Sequence, residues 1–140
     1  MKLRILLAAS ALLATAQPAL ARGTVQVVVT NVRDSVGMIH VELCPAALWM
    51  KPCAIAGNAP ARQGATVVNL ANVPPGRYGA VVSHDRNRNG KVDRNFIGMP
   101  TEDVGFSNNA MKRLAKPKFA DAAFDHGDQD QQITLAMKRF

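Results

Sequence analysis

Past residue 21 no apolar run approaches the ~20 residues a membrane-spanning helix needs, so nothing there reads as a bilayer span. The chain also lacks the spacings that mark common catalytic and metal motifs. His40, His84 and His126 are its three histidines, and no two form H-x-x-x-H. A zinc site has little to build on. Cys44 and Cys53 are its two cysteines, too far apart for the C-x-x-C of a dithiol redox motif. Neither Ser83 nor Ser107 sits in G-x-S-x-G, so no nucleophile elbow is present. The formal net charge is +7, yet the Lys and Arg are scattered rather than blocked. Nucleic acid is therefore not an expected partner. There is no internal repeat and no low-complexity linker.

The amino terminus carries a clear signal. Lys2 and Arg4 precede an apolar stretch from Ile5 to about Ala16, and Ala19-Leu20-Ala21 follows. Charged start, apolar middle and A-x-A end are the pattern of a cleavable secretory leader. The expectation is a signal peptide over 1–21 and a single domain over 22–140, acting in the periplasm or outside the cell. No cysteine follows the cut, so a lipoprotein is not expected, nor a transmembrane anchor after cleavage. Removing Lys2 and Arg4 lowers the net charge to about +5, which favours an anionic envelope or extracellular partner of unknown identity. In an oxidising compartment Cys44 and Cys53 read as a disulfide worth roughly 2–3 kcal/mol by loop entropy.

Several short runs then alternate with period two. Val25, Val27 and Val29 alternate with Gln26, Val28 and Thr30; Ile39, Val41 and Leu43 with His40 and Glu42. Similar runs lie at 66–70, 78–82, 122–124 and 133–137. One apolar and one polar face per run is what an antiparallel sheet with one wet side requires. Turn residues separate the runs, at 34–37 and 74–76. His126-Gly127-Asp128 marks a hairpin between the last two. About seven strands predict an all-β fold, a single antiparallel β-sandwich with one long polar loop. Two insertions interrupt it. Residues 44–64 carry the cysteines and a helical turn near 46–50. Residues 84–116 carry a short helix near 109–114.

The second insertion opens on a specific pattern. Counting Asp85 as position 1, Asp85, Asn87, Asn89 and Asp93 fall at positions 1, 3, 5 and 9, with Gly90 at 6. This is calcium-loop spacing, with the Lys91 carbonyl as a further ligand. Alternate residues of a tight turn point inward and converge on one hard cation. Position 12 is Phe96 where such loops carry a bidentate Glu, and Arg86, Arg88, Lys91 and Arg94 add positive charge. Any site is expected to be weak. Glu102 or Asp103 can complete it from outside the loop. The competing reading is that Asp85, Asn87 and Asn89 make Asx turns and cap their own backbone. Trp49 is expected to pack over the disulfide loop rather than to bind a ligand.

Leu70-x-x-x-Pro74-Pro75-Gly76-Arg77-Tyr78 leads into His84-Asp85-x-Asn87-x-Asn89-Gly90-x-x-Asp93-x-Asn95-Phe96-x-Gly98-x-Pro100-x-Glu102, then Gly105-Phe106-Ser107-Asn108-Asn109-Ala110. This resembles the bacterial exported family called Domain of Unknown Function 2141, from about Val25 to the last strand. The resemblance implies a secreted immunoglobulin-like or transthyretin-like sandwich and no assigned activity. The basic residues at 86 and 88 and the cysteine pair are features of this chain rather than of the family motif. Two functions remain open. One is a non-catalytic binding or scaffold module whose surface is the loop, including His84, Glu102, Asp103, Asn108 and Asn109. The other is a hydrolase or carbohydrate-active enzyme using His84, Asp85 and Asp93 or Glu102. Glycoside chemistry would need two carboxyls about 5–9.5 Å apart across a cleft. The sequence names no catalytic residue.

Overall fold

A computed structural model describes residues 22–93, 100–113 and 115–139. The leader expected at 1–21 lies outside the described residues, as do Arg94, Asn95, Phe96 and Gly98 of the loop pattern. Eight strands are described: β1 (Gly23–Val32), β2 (Met38–Cys44), β3 (Ile55–Pro60), β4 (Gly64–Val73), β5 (Gly76–Asp85), β6 (Val104–Phe106), β7 (Ala123–His126) and β8 (Gln131–Ala136). They form two sheets, ordered β4-β1-β8 and β3-β2-β5-β6, with β7 also against β5.

The alternation in the sequence decides which faces meet. Val25, Val27 and Val29 of β1 are fully buried, as are Ile39, Val41 and Leu43 of β2. Val68 and Leu70 of β4, Ala80 and Val82 of β5 and Leu135 of β8 complete the filling between the sheets. Burying each such aliphatic side chain is worth about 1.5–3 kcal/mol, so this layer dominates stability. The expected all-β sandwich is therefore present, with two departures in its wiring. β1 and β8 pair in parallel, Val27 beside Ile133. β7 and β8 do not form the expected hairpin, because β7 pairs β5 in one sheet and β8 pairs β1 in the other. The His126-Gly127-Asp128 turn instead crosses between sheets. The buried His126 ring closes that end against Gln131 and the Val73 carbonyl.

β5 is covered on both its faces. Tyr78, Ala80 and Val82 face the main core. Val81 faces a second cluster of Val104, Phe106, Ala110, Met111 and Ala122. Trp49 joins this cluster, its ring between Phe106 at 6.1 Å and Phe119 at 5.7 Å. Its indole N–H donates to the Pro117 carbonyl at 2.8 Å. A Cβ on Gly79 would lie 2.5 Å from the Trp49 ring, so the absent side chain lets the indole rest on the strand. Trp49 thus packs on β5 and the far insertion rather than simply over its own loop.

The first insertion has the expected helical turn, a 3-10 turn at Ala46–Leu48. It also holds β3, which the sequence pattern did not reveal. Its residues are mostly small, and Pro60 is tolerated because β3 is an edge strand. The helix expected near 109–114 is not found at the described positions 110–113. Asn108 and Asn109 close a 3-10 turn at Ser107–Asn109, and their φ values of 57° and 48° stop a helix there. One helical turn, α1 (Phe119–Ala122), stands where the penultimate strand was expected to begin.

Candidate functional site

β5 ends at the mouth of the sandwich and delivers His84 and Asp85 there. β2 runs beside it, with Met38 opposite Asp85 and Ile39 opposite His84. The turn at 34–37 folds over this end. It comes so close that a Cβ on Gly37 would lie 2.2 Å from the Asp85 carbonyl, and Gly37 also holds a φ of 76°. Only glycine suits both conditions.

His84 is 0% exposed. Its Nε2 donates to the Val36 carbonyl at 2.7 Å, which leaves Nδ1 buried and without a partner. A sealed ring of this kind has no route to a substrate. Its backbone N–H donates to the Asp103 carbonyl at 3.0 Å. Asp34, not singled out in the sequence, lies beside it. Burial raises the Asp34 carboxyl, but the Val36 N–H and the Arg86 guanidinium outweigh that and hold it below its ordinary value.

The loop from Asp85 to Asp93 closes on itself. Both Asp85 oxygens accept backbone N–H groups, from Asn89 at 3.0 Å and Gly90 at 2.8 Å. The Asn87 and Asn89 carbonyl oxygens accept the N–H groups of Asn89 and Lys91 in Asx turns. Their amide nitrogens both donate to the Asp93 carboxylate, at 2.5 and 2.6 Å. The calcium-type spacing therefore does bring Asp85, Asn87, Asn89 and Asp93 together in one turn. The capping reading is present in the same geometry. Arg86, Arg88 and Lys91 project from the loop and are exposed.

Glu102 and Asp103 anchor the loop from below, and both are buried. Glu102 accepts the Arg86 N–H at 3.3 Å with one oxygen and the Asp93 N–H at 3.2 Å with the other. Asp103 receives both arms of the Arg33 guanidinium, an anchor sequence reading missed. Its Asp34-Ser35-Val36-Gly37 neighbour was legible only as a turn. Arg33, Arg86, Asn87 and Thr101 border a cleft of about 230 Å³ above these acids.

Asn108 and Asn109 lie away from this cleft. Asn108 donates to the carbonyls of Asp121 and Ala123, and Asn109 accepts the Ala136 N–H at 2.9 Å. They fasten β6 to β7 and β8. Ser107 is committed likewise: its Oγ accepts from Ala80 N–H and donates to the Ala122 carbonyl. Cys44 and Cys53 form the disulfide, with Cα atoms 5.5 Å apart.

The family profile described as "Uncharacterized protein conserved in bacteria (DUF2141)" matches residues 27–134, which span both sheets and the loop. The chain belongs to this DUF2141 family. Neither curated proteins nor solved structures hold a significant match to it. Membership carries no assigned activity, so the chemistry of the DUF2141 loop has to be argued from its own residues.

Proposed function

We propose that this DUF2141 chain is an exported, non-catalytic binding module whose 84–103 cap is the recognition surface. One observation carries the reading: the carboxylates at this end are already engaged. Asp85 and Glu102 each hold two backbone amides, and Asp103 holds Arg33. A general acid or base must reach its substrate proton, and His84 beside them is sealed. The arrangement supports carboxylates that fasten backbone rather than a hydrolytic pair. Export is part of the proposal, and β1 begins at Gly23, so a cut after Ala21 leaves the whole sandwich intact. The partner is proposed to be an anionic envelope or extracellular component, matched to the exposed basic loop. Purified 22–140 should turn over no ester or glycoside in a chromogenic panel. Turnover that disappears in Glu102→Gln would establish the enzyme instead. The protein recovered from an envelope fraction should begin at Arg22 by amino-terminal sequencing.

The convergence of four oxygen-bearing side chains on one turn favours an added property, weak calcium binding by Asp85, Asn87, Asn89, the Lys91 carbonyl and Asp93. A cation must displace the two amide bonds to Asp93 and work against three exposed positive side chains. That places its affinity in the class of extracellular modules, about 1 mM. With about 10 mM calcium the native state then gains about 1.4 kcal/mol, a melting shift of several degrees over the chelated protein. Coincident melts with calcium and with chelator would remove calcium from the proposal and leave the module standing.

A further inference from the structure

Along β2 the polar face carries His40, Glu42 and Cys44 in a row that leads away from the loop. Period two puts all three on the outer side, while Ile39, Val41 and Leu43 enter the core. Cys44 pairs with Gly79, whereas Met38 pairs with Asp85, so this row ends about 20 Å along the strand from the loop. One Glu42 carboxylate oxygen and the sulfurs of Cys44 and Cys53 all lie within 4.8 Å of one another. Glu42 is held in place from both sides. Its Oε1 meets His40 Nε2 at 3.0 Å, and its Oε2 accepts the Cys53 N–H at 3.2 Å. His40 is itself fixed by Asn58 through Nδ1 at 2.7 Å.

Two thiolates and an oriented carboxylate are a thiophilic-metal donor set, and three protein ligands leave a fourth position for water. We propose that reduction of the Cys44–Cys53 disulfide converts this row into a binding site for a Zn²⁺-class ion, with Cys44, Cys53 and Glu42 as ligands. His40 is the positioning residue that orients Glu42. A dithiol reductant gives the disulfide two electrons and two protons, and itself becomes a disulfide. The metal then displaces both thiol protons as it binds. The Cα separation of 5.5 Å allows the two sulfurs to part onto one ion without moving the strand. Cys53 is the less enclosed of the two cysteines, while Cys44 is fully buried. The same residues therefore give a covalent staple in one redox state and a metal site in the other.

The test uses the 22–140 protein reduced with a phosphine and titrated with Co²⁺, which reports thiolate ligation by its charge-transfer absorption. The expected result is one equivalent bound by the reduced protein, none by the oxidised protein, and displacement by Zn²⁺. Glu42→Gln should weaken affinity at least tenfold. His40→Ala should weaken it about tenfold, within the range for partners that orient a ligand. That loss should vanish when Glu42→Gln is already present, a result a merely structural role for His40 would not produce. Should reduction unfold the chain, Zn²⁺ should restore its circular dichroism, because binding then drives folding. Absence of cobalt ligation, failure of zinc to refold an unfolded reduced chain, or wild-type affinity in Glu42→Gln would each overturn the site.

Discussion

The two insertions into this sandwich are fastened by different chemistry. The first is closed by a covalent bond, Cys44 to Cys53, and by the Trp49 indole laid on β5. The second is closed near Asp85 by carboxylates gripping backbone amides rather than by a covalent link. A covalent ring resists opening until it is reduced. A carboxylate clasp exchanges its donors for any cation or donor that competes better. The difference explains why the recognition proposal falls on the second insertion and the redox proposal on the first. The two meet at Trp49, whose ring lies 6.1 Å from that of Phe106 in the second insertion.

Removing that meeting point should have the largest effect. Trp49→Ala strips the ring from between Phe106 and Phe119. The expected cost is about 3 kcal/mol, the low end for truncating a large aromatic because Trp49 is only partly buried. Urea unfolding measures it. A loss under about 1 kcal/mol would mean that the indole is free to bind a ligand and that the insertions are independent. Next comes the covalent closure. Replacing both cysteines by alanine should cost between about 2 and 3 kcal/mol, as expected for a short ring. A much smaller loss would show that Trp49 alone orders the first insertion.

Glu102→Gln tests the clasp. Glutamine keeps one acceptor oxygen, so one of the two amide bonds is lost and a donor is turned toward a donor. The expected destabilisation is about 1.5 kcal/mol, typical of a hydrogen bond to a charged group. The contrast with the first insertion sharpens if hydrogen exchange at Arg86 and Asp93 accelerates while the β2 amides keep their protection. Uniform acceleration would mean that the clasp belongs to the global core.

How much of this was legible depended on which physical signal each residue carried. The valines of β1 and the Ile39–Leu43 alternation state their face plainly, so the sandwich could be read directly. The Asp85 to Asp93 spacing likewise foretold which side chains would meet. β3 was hidden because Ala56, Gly57 and Ala59 are too small to write an alternating pattern. The crossover after His126 was hidden because a turn signal gives a reversal but not the sheet the next strand joins. Arg33 was hidden because pairing with Asp103 is a contact across distant sequence. The sealed state of His84 arises from the 34–37 turn above it, which no local pattern at His84 reveals.

The smallest expected effect concerns that turn. Asp34 joins it to the loop, accepting the Val36 N–H at 3.0 Å and pairing with Arg86 at 2.9 Å. Burial works against the charged carboxylate, but these two partners prevail and its folded value lies below the ordinary 3.8. A carboxyl that ionises more readily when folded stabilises the protein fully above its unfolded value and loses that contribution as pH falls through the folded one. Asp34 therefore contributes fully at neutral pH, and its contribution declines below pH 3.8 until it is lost at the lower folded value. Asp34→Asn should be slightly less stable than the parent at pH 7, and the gap should narrow below that pH. Added salt should shrink the gap as well, since Arg86 is exposed and the pair is screened. A gap that survives both acid and salt would show that the difference does not arise from the charge of Asp34 facing Arg86. Arg86 would then be no part of what holds the second insertion, and the Glu102 and Asp103 anchors would stand without it.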